Sequence, residues 1–205
     1  MMTAHPATRE VGLDRETPLE HPAGEEDSEL LRRIVTGDGS AFTQFMNRYR
    51  SPIGRYVHSR IRDRHQAEDI AQEVFLHVLR AAQSSPHAGR ASAKTWLFTI
   101  ANNCVADHFR LKIRKPMSLV SDGDDPPEPA ATDHTERIAG DDHTEFLLEL
   151  LPDEQRQAVA MKIIGGLTLS EIAEVLGCPL GTVKSRLLYG LNKIHEHLTR
   201  KGGVR

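Results

Sequence analysis

At 205 residues the chain has room for one or two small domains, each burying its own core. Its two cysteines, Cys104 and Cys178, are far apart and lie outside any CxxC or Cys/His ligand spacing. A disulfide scaffold and a zinc site are therefore not expected, and no metal or other cofactor is implied. No apolar run approaches the ~18–20 residues of a membrane span, so the expectation is a cytoplasmic chain with no membrane insertion.

The net charge of −3 hides an uneven distribution. Lys and Arg against Asp and Glu leave −6 over residues 1–29, +9 over 30–116, −8 over 117–146 and +2 over 147–205. A basic unit between acidic, Pro-containing segments favours polyanions through counterion release, which makes nucleic acid the leading partner class. The bland alternative is a solvated basic surface with no partner.

Residues 1–27 hold three prolines and many acids with almost no large apolar residues, and read as a disordered acidic tail. Helical periodicity begins at Ser28, a candidate N-cap, and stops at Gly37. A second helix is predicted after Ser40, with Phe42, Phe45, Met46 and Tyr49 on one face. Pro52 is expected to open another short helix carrying Ile53, Val57 and Ile61.

Two amphipathic helices of opposite surface chemistry follow. In AEDIAQEVFLHVLRAA, residues Ala67, Ile70, Ala71, Val74, Phe75 and Val78 share one side, while Asp69, Gln72, Glu73 and Leu76 fall on another. After a turn-rich loop at 83–93, KTWLFTIANNCVADHFRLKIRK is expected to bury Trp96, Leu97, Ile100 and Cys104. Its opposite stripe carries Thr99, Asn103 and Arg110, and it runs out into Lys112, Arg114 and Lys115. An acidic face beside a polar-to-basic face points to a module that touches protein with one helix and nucleic acid with the next. With no period-2 strand pattern of useful length, residues 28–116 are predicted to be an all-α bundle.

Residues 117–145 lack apolar periodicity and read as a flexible acidic linker. Such a chain spans about 30 Å as a coil and about 95 Å when extended. A C-terminal domain over 146–198 follows, with 199–205 as a tail. Pro152 opens a helix expected to turn Ala158, Val159, Lys162 and Ile163 to one side. Thr168 and Glu171 form a T-x-x-E capping box, Gly177 stops the short helix LSEIAEVL, and a longer helix starts after Pro179. This is the helix-turn-helix plan. Val183, Leu187, Leu191 and Ile194 fall on the core side, and Thr182, Lys184, Ser185, Leu188 and Tyr189 face outward. Arg186 either grips phosphate or supports the turn.

Together these stretches resemble an extracytoplasmic-function (ECF) sigma factor of the sigma-70 family. AFTQFMNRYRSPIGRYV, AEDIAQEVFLHVLRA and TWLFTIANNCVADHFRLKIRK are similar to region 2 of that family. LPDEQRQAVAMKIIGGLTLSEIAEVLGCPLGTVKSRLLYGLNKI is similar to region 4. The resemblance implies a non-enzymatic factor that binds bacterial core RNA polymerase and directs initiation at promoters with −35 and −10 elements. It assigns Asp69, Gln72, Glu73 and Leu76 to the clamp helices of the polymerase's largest subunit, with the flap as a further contact. It assigns the loop containing His87 and Arg90, with Asn103, to the opened −10 strand, and Arg110, Lys112, Arg114 and Lys115 to the adjacent duplex phosphates. Thr182, Lys184, Ser185, Arg186, Leu188 and Tyr189 match the −35-reading helix. The acidic linker is either a nucleic-acid mimic in the polymerase's basic channels or a plain spacer. A separately encoded anti-sigma factor is the implied regulator.

Two other classes compete. A repressor or activator binding its operator directly explains the helix-turn-helix, yet leaves the Asp69/Gln72/Glu73 face without a purpose; strong duplex binding by the free chain would favour it. A nucleic-acid enzyme needs clustered carboxylates, whereas Asp69 and Glu73 form only an i, i+4 pair and Asp63 precedes their helix.

Overall fold

The structure, a computed structural model, describes residues 24–84, 92–114 and 141–202. Among them it is all-helical, as expected. The helices run α1 (Gly24–Val35), α2 (Gly39–His58), α3 (Arg64–Ser84), α4 (Ala93–Arg114), α5 (Asp141–Glu149), α6 (Asp153–Ile163), α7 (Leu169–Leu176) and α8 (Leu180–Gly202).

Helix α1 starts before Ser28, which lies inside it rather than at its cap. Its first turn is tied to α2, because buried Asp27 accepts from the Tyr49 hydroxyl and from Arg48, and Arg48 also donates to Glu26. Burial and the Asp27 carboxylate push the Tyr49 phenol well above its usual pKa. Helix α2 is a second departure. The N-cap is Asp38, whose side chain accepts from the backbone N–H groups of Ser40 and Ala41, and the helix runs on through Pro52 without a new start. Proline inside a helix removes one backbone bond at a cost of about 3 kcal/mol. Here the buried stripe Ala41, Phe45, Tyr49 continues into Ile53, Tyr56 and Val57, and that burial outweighs the lost bond.

Helix α3 keeps the face read from its sequence: Ala67, Ile70, Val74, Phe75 and Val78 are buried and Ala71 is half-buried. In α4 the reading needs correction. Leu97 is buried as expected, but Trp96, Ile100 and Cys104 are only half-buried, and Phe98, Ala101 and Val105 are fully inside. Phe98 packs edge-on against Tyr56 with centroids 5.4 Å apart.

The C-terminal unit begins earlier than periodicity alone placed it, with α5 starting at Asp141. Pro152 is the N-cap of α6 rather than its first helical residue. The buried face of α6 is Ala158–Met161, whereas Lys162 and Ile163 are exposed. Four successive buried residues are possible because α6 packs against α5, α7 and α8 on different sides. The capping box at Thr168/Glu171 forms in both directions, and Gly177 closes α7 in the left-handed region at φ 59°. Only glycine adopts that conformation at little cost.

The two predicted units do not stand apart. One continuous hydrophobic core runs from Leu30 through Phe98 to Leu187, with α4 packed directly on α7. Gly165 sits at the closest approach. A Cβ there would lie 2.5 Å from Leu167 Cδ1, 2.7 Å from the Met161 carbonyl oxygen and 2.8 Å from Phe98 Cζ. Because one of those neighbours is backbone, Gly165→Ala should cost about 1–3 kcal/mol, read as a lower urea midpoint at unchanged m-value. An unchanged midpoint would show that the packing around Gly165 is looser than described.

Candidate protein and nucleic-acid interfaces

The exposed side of α3 carries Asp69, Gln72, Glu73 and Leu76 in one stripe, opposite the buried face. Leu76 is 52% exposed, a large apolar side chain held in water among carboxylates and an amide. Glu73 lies 3.4 Å from His77 Nε2, and Arg64 pairs with Glu68 one turn earlier at 3.0 Å. In a protein contact such a leucine would supply burial and its polar neighbours register.

On α4, Asn103, Arg110 and Lys112 are exposed. Thr99 is half-buried, and its hydroxyl donates to the Thr95 carbonyl. Arg110 is held by Asp107 at 2.7 Å, an exposed pair that a phosphate can displace. Arg114 ends the helix; its side chain, together with Lys115, His87 and Arg90, lies outside the described residues. Phe109 and Leu111, exposed on either side of Arg110, were not singled out from the sequence. Cys104 is no reactive centre. Burial pushes its thiol up to about 11, and Glu73 and Asp107 add to the shift, so it keeps its proton at neutral pH.

On α8, Lys184, Ser185, Leu188 and Tyr189 are exposed along the leading half of the helix, and Thr182 is half-buried. The Ser185 hydroxyl donates to the Thr182 carbonyl. Arg186 turns the other way. Its guanidinium donates to Glu154 of α6 at 2.8 Å, which favours the supporting role over the phosphate grip. Among the described residues no cluster of histidine, cysteine and carboxylate could hold a metal ion. No described helix is long and apolar enough to cross a membrane.

The polar seam between the two units has no counterpart in the sequence reading. Arg60 is buried and reaches Asp153 of α6, donating to its carboxylate at 2.9 Å and its carbonyl at 3.0 Å. Lys94 donates to the Gly166 carbonyl at 2.9 Å. Gln157 donates to Asn102 Oδ1, which also accepts from the Tyr56 hydroxyl at 3.1 Å. Burial raises the Tyr56 phenol to about 12, which keeps that donor protonated. Glu171 does double duty. While capping α7 through Thr168, it accepts from Ser92 Oγ at 2.7 Å and Thr95 Oγ1 at 3.0 Å. Burial alone raises the Glu171 pKa, but the Thr168 backbone donor and the three hydroxyls outweigh it and hold the carboxyl below the ordinary glutamate range.

Comparison with known proteins identifies both halves. Residues 45–114 match sigma-70 region 2, and residues 145–194 match sigma-70 region 4. The RNA polymerase sigma-H factor of Pseudomonas aeruginosa is 30% identical over 185 residues, covering 85% of this chain and 94% of that protein. The ECF RNA polymerase sigma factor SigK of Mycobacterium tuberculosis is 32% identical over 172 residues, covering 82% of this chain and 91% of that protein. In fold, the chain is similar to the sigma factor RpoE in its complex with the anti-sigma factor NepR from Bartonella quintana. The TM-score is 0.56 at 23% identity, covering 77% of this chain and 96% of that chain.

The Glu171 geometry has a pH signature. A carboxyl whose pKa is depressed by folding stabilises the protein above its unfolded pKa of about 4.3 and loses that contribution as pH falls through the lower folded value. The gap in urea midpoint between wild type and Glu171→Gln should therefore be full at pH 7 and close progressively below about pH 4. A gap that stays constant across that range would mean the hydrogen bonds do not favour the ionised form.

Proposed function

The chain belongs to the sigma-70 family, in its ECF branch, and directs promoter-specific transcription initiation by RNA polymerase; we propose that it does so as an adaptor whose α3 holds core enzyme while α4 and α8 read DNA. Sigma factors of this family are not enzymes, and bond formation belongs to the polymerase. In this reading residues 28–116 are region 2 and 146–198 are region 4, and the acidic stretch between them leads into α5, which starts at Asp141. The observation that carries it is the juxtaposition of two unlike exposed faces on consecutive helices. Asp69, Gln72, Glu73 and Leu76 stand on α3, and Asn103, Arg110 and Lys112 stand on α4.

The chemistry of each face fits its assigned partner. On α3, Leu76 supplies buried area at the centre of a contact with the clamp helices of the largest subunit, and Asp69, Gln72 and Glu73 set register around it. Region 4 takes the flap as its second polymerase contact. On α4, Asn103 serves the opened −10 strand with the loop residues His87 and Arg90, while Arg110, Lys112, Arg114 and Lys115 hold flanking phosphates. Phosphate contacts position the duplex, and capture of unstacked bases offsets the few kcal/mol spent in removing a base from the stack. On α8, Lys184 and Ser185 present donors and acceptors to base edges. Leu188 and Tyr189 offer apolar contact to thymine methyl groups, and Thr182 completes the −35 surface. Arg186, held by Glu154, orients the helix that carries them.

The acidic linker lies along the polymerase's basic channels. An anti-sigma factor, like the one bound to the structurally similar RpoE, covers these surfaces until a signal releases it. The setting is the bacterial cytoplasm.

Run-off transcription with purified bacterial core enzyme on fragmented genomic DNA should give discrete transcripts only when the chain is added; none above core alone would contradict the reading. Asp69→Lys combined with Glu73→Lys should lower affinity for core at least ~10-fold with helix content unchanged, because both positions are exposed and the change replaces two acceptors of the docking face with cations. Wild-type affinity would remove α3 from the polymerase contact. Lys184→Ala with Tyr189→Ala should leave core binding intact yet reduce −35-dependent transcription by about 10-fold or more, the scale of one or two lost base contacts. Equal transcription from templates with and without the −35 element would contradict that role.

A further inference from the structure

Helix α8 contains a glycine, Gly190, well inside its span and next to exposed Tyr189. Glycine in a helix interior weakens the helix relative to alanine, so its place here calls for a reason outside the helix. The packing supplies one. Gly190 is buried on the inward face that also carries Val183 and Leu187, and that face rests on α6. A Cβ at position 190 would lie 2.8 Å from Val159 Cγ2 and 3.5 Å from both Gln155 Cβ and Leu151 Cδ1. Val159 is fully buried and branched at its own Cβ, which leaves it little rotamer freedom with which to yield. Alanine at position 190 would therefore have to push α8 off α6 by several tenths of an ångström.

Towards the start of α8 the contact with α6 is looser. A cavity of about 360 Å³ separates the first turn of α6, residues 152–155, from Thr182, Ser185, Arg186 and Tyr189 of α8. At this end the helices are tied by Arg186 and Glu154 at 2.8 Å, an ion pair whose carboxylate is 73% exposed. A solvated pair of this kind is a soft tether. The tilt of the leading half of α8 is set where apolar packing is tight, and that is at Gly190.

We propose that Gly190 is a specificity-determining positioning residue: by letting α8 settle against Val159, it fixes the tilt at which Lys184, Ser185 and Tyr189 meet the bases of the −35 element. Gly190 itself is buried behind the reading edge and touches no DNA. The assignment rests on the promoter-reading role of α8 proposed above. Recognition of this kind requires side chains held to within about 0.5 Å of their productive positions. Lys184 stands six residues, or about 9 Å, from the pivot, so a small rotation at Gly190 is carried along a rigid helix to the far end of the reading edge. One added methyl group thus changes which bases are preferred as well as how stable the domain is.

The test is transcription by core polymerase carrying the full chain, on templates with a fixed −10 element and a randomised −35 element, each identified by a barcode in its transcript. Wild type should favour a defined −35 sequence. Gly190→Ala should lower transcription from that sequence at least about 10-fold relative to its best competitor, the scale of one lost base contact, with core affinity unchanged. Val159→Ala removes the obstructing methyl group and should lower the urea midpoint while keeping the wild-type preference. Gly190→Ala combined with Val159→Ala should restore that preference, because the added and the removed methyl groups occupy the same contact. Val159→Leu enlarges the opposite side of this contact and should reorder the bases too, which supplies the answer if Gly190→Ala does not fold.

A folded Gly190→Ala or Val159→Leu variant that transcribes every template less, with the base preference unchanged, would reduce Gly190 to a packing residue and overturn the proposal. So would a double variant that keeps the altered preference. A wild-type chain with no −35 preference at all would instead overturn the assignment of α8 to promoter reading.

Discussion

Helix α4 belongs to two cores at once, and the rest of the structure is arranged around that fact. One side of it, through Leu97, Ala101 and Val105, completes the bundle formed with α1, α2 and α3. Another side, through Phe98 and its polar neighbours Lys94, Thr95 and Asn102, is covered by the C-terminal unit. The side left to solvent carries Asn103, Arg110 and Lys112. A helix hydrophobic over more than one stripe must be covered on more than one side. The helix-turn-helix unit supplies that second cover, with α7 packed directly on α4.

That arrangement divides the labour of the surface. α3 shows solvent a polar stripe with one apolar centre, and its other side is committed to the bundle. α8 is anchored from behind by Val183, Leu187 and the Arg186–Glu154 pair, which leaves Lys184, Ser185, Leu188 and Tyr189 in solvent. Helices with packed backs hold their exposed side chains in fixed register, which any specific recognition surface requires. The seam between the units is apolar at its centre and ringed by polar pairs.

Much of this was readable from residue order. The two faces of α3 separated because apolar and polar side chains recur there at helical spacing, with Leu76 the one large apolar residue on the exposed side. The T-x-x-E box and Gly177 marked α7 because each has a local mechanism that tertiary packing does not override. Local rules failed where packing decides. Pro52 looked like a helix start, but an apolar stripe continuing across it carries α2 straight through. Periodicity put Trp96 on the buried stripe of α4, yet it is only half-buried, and Phe98 is fully inside because a second unit covers the side it faces. Arg186 gave no sign of its choice between phosphate and turn, since its partner Glu154 lies 32 residues away. The seam was invisible for the same reason. Arg60, Lys94, Asp153 and Gln157 each look like an ordinary solvated residue, and only the fold brings them opposite one another.

Hydroxyl-radical footprinting of the free chain and of its complex with core polymerase reads the docking face directly. Leu76 is half-exposed, whereas Phe98 is fully buried and serves as the internal reference. If α3 holds core enzyme, oxidation of Leu76 should fall when core is added. Unchanged labelling of Leu76 in an initiation-competent complex would contradict the view of this chain as an adaptor mounted on polymerase through α3.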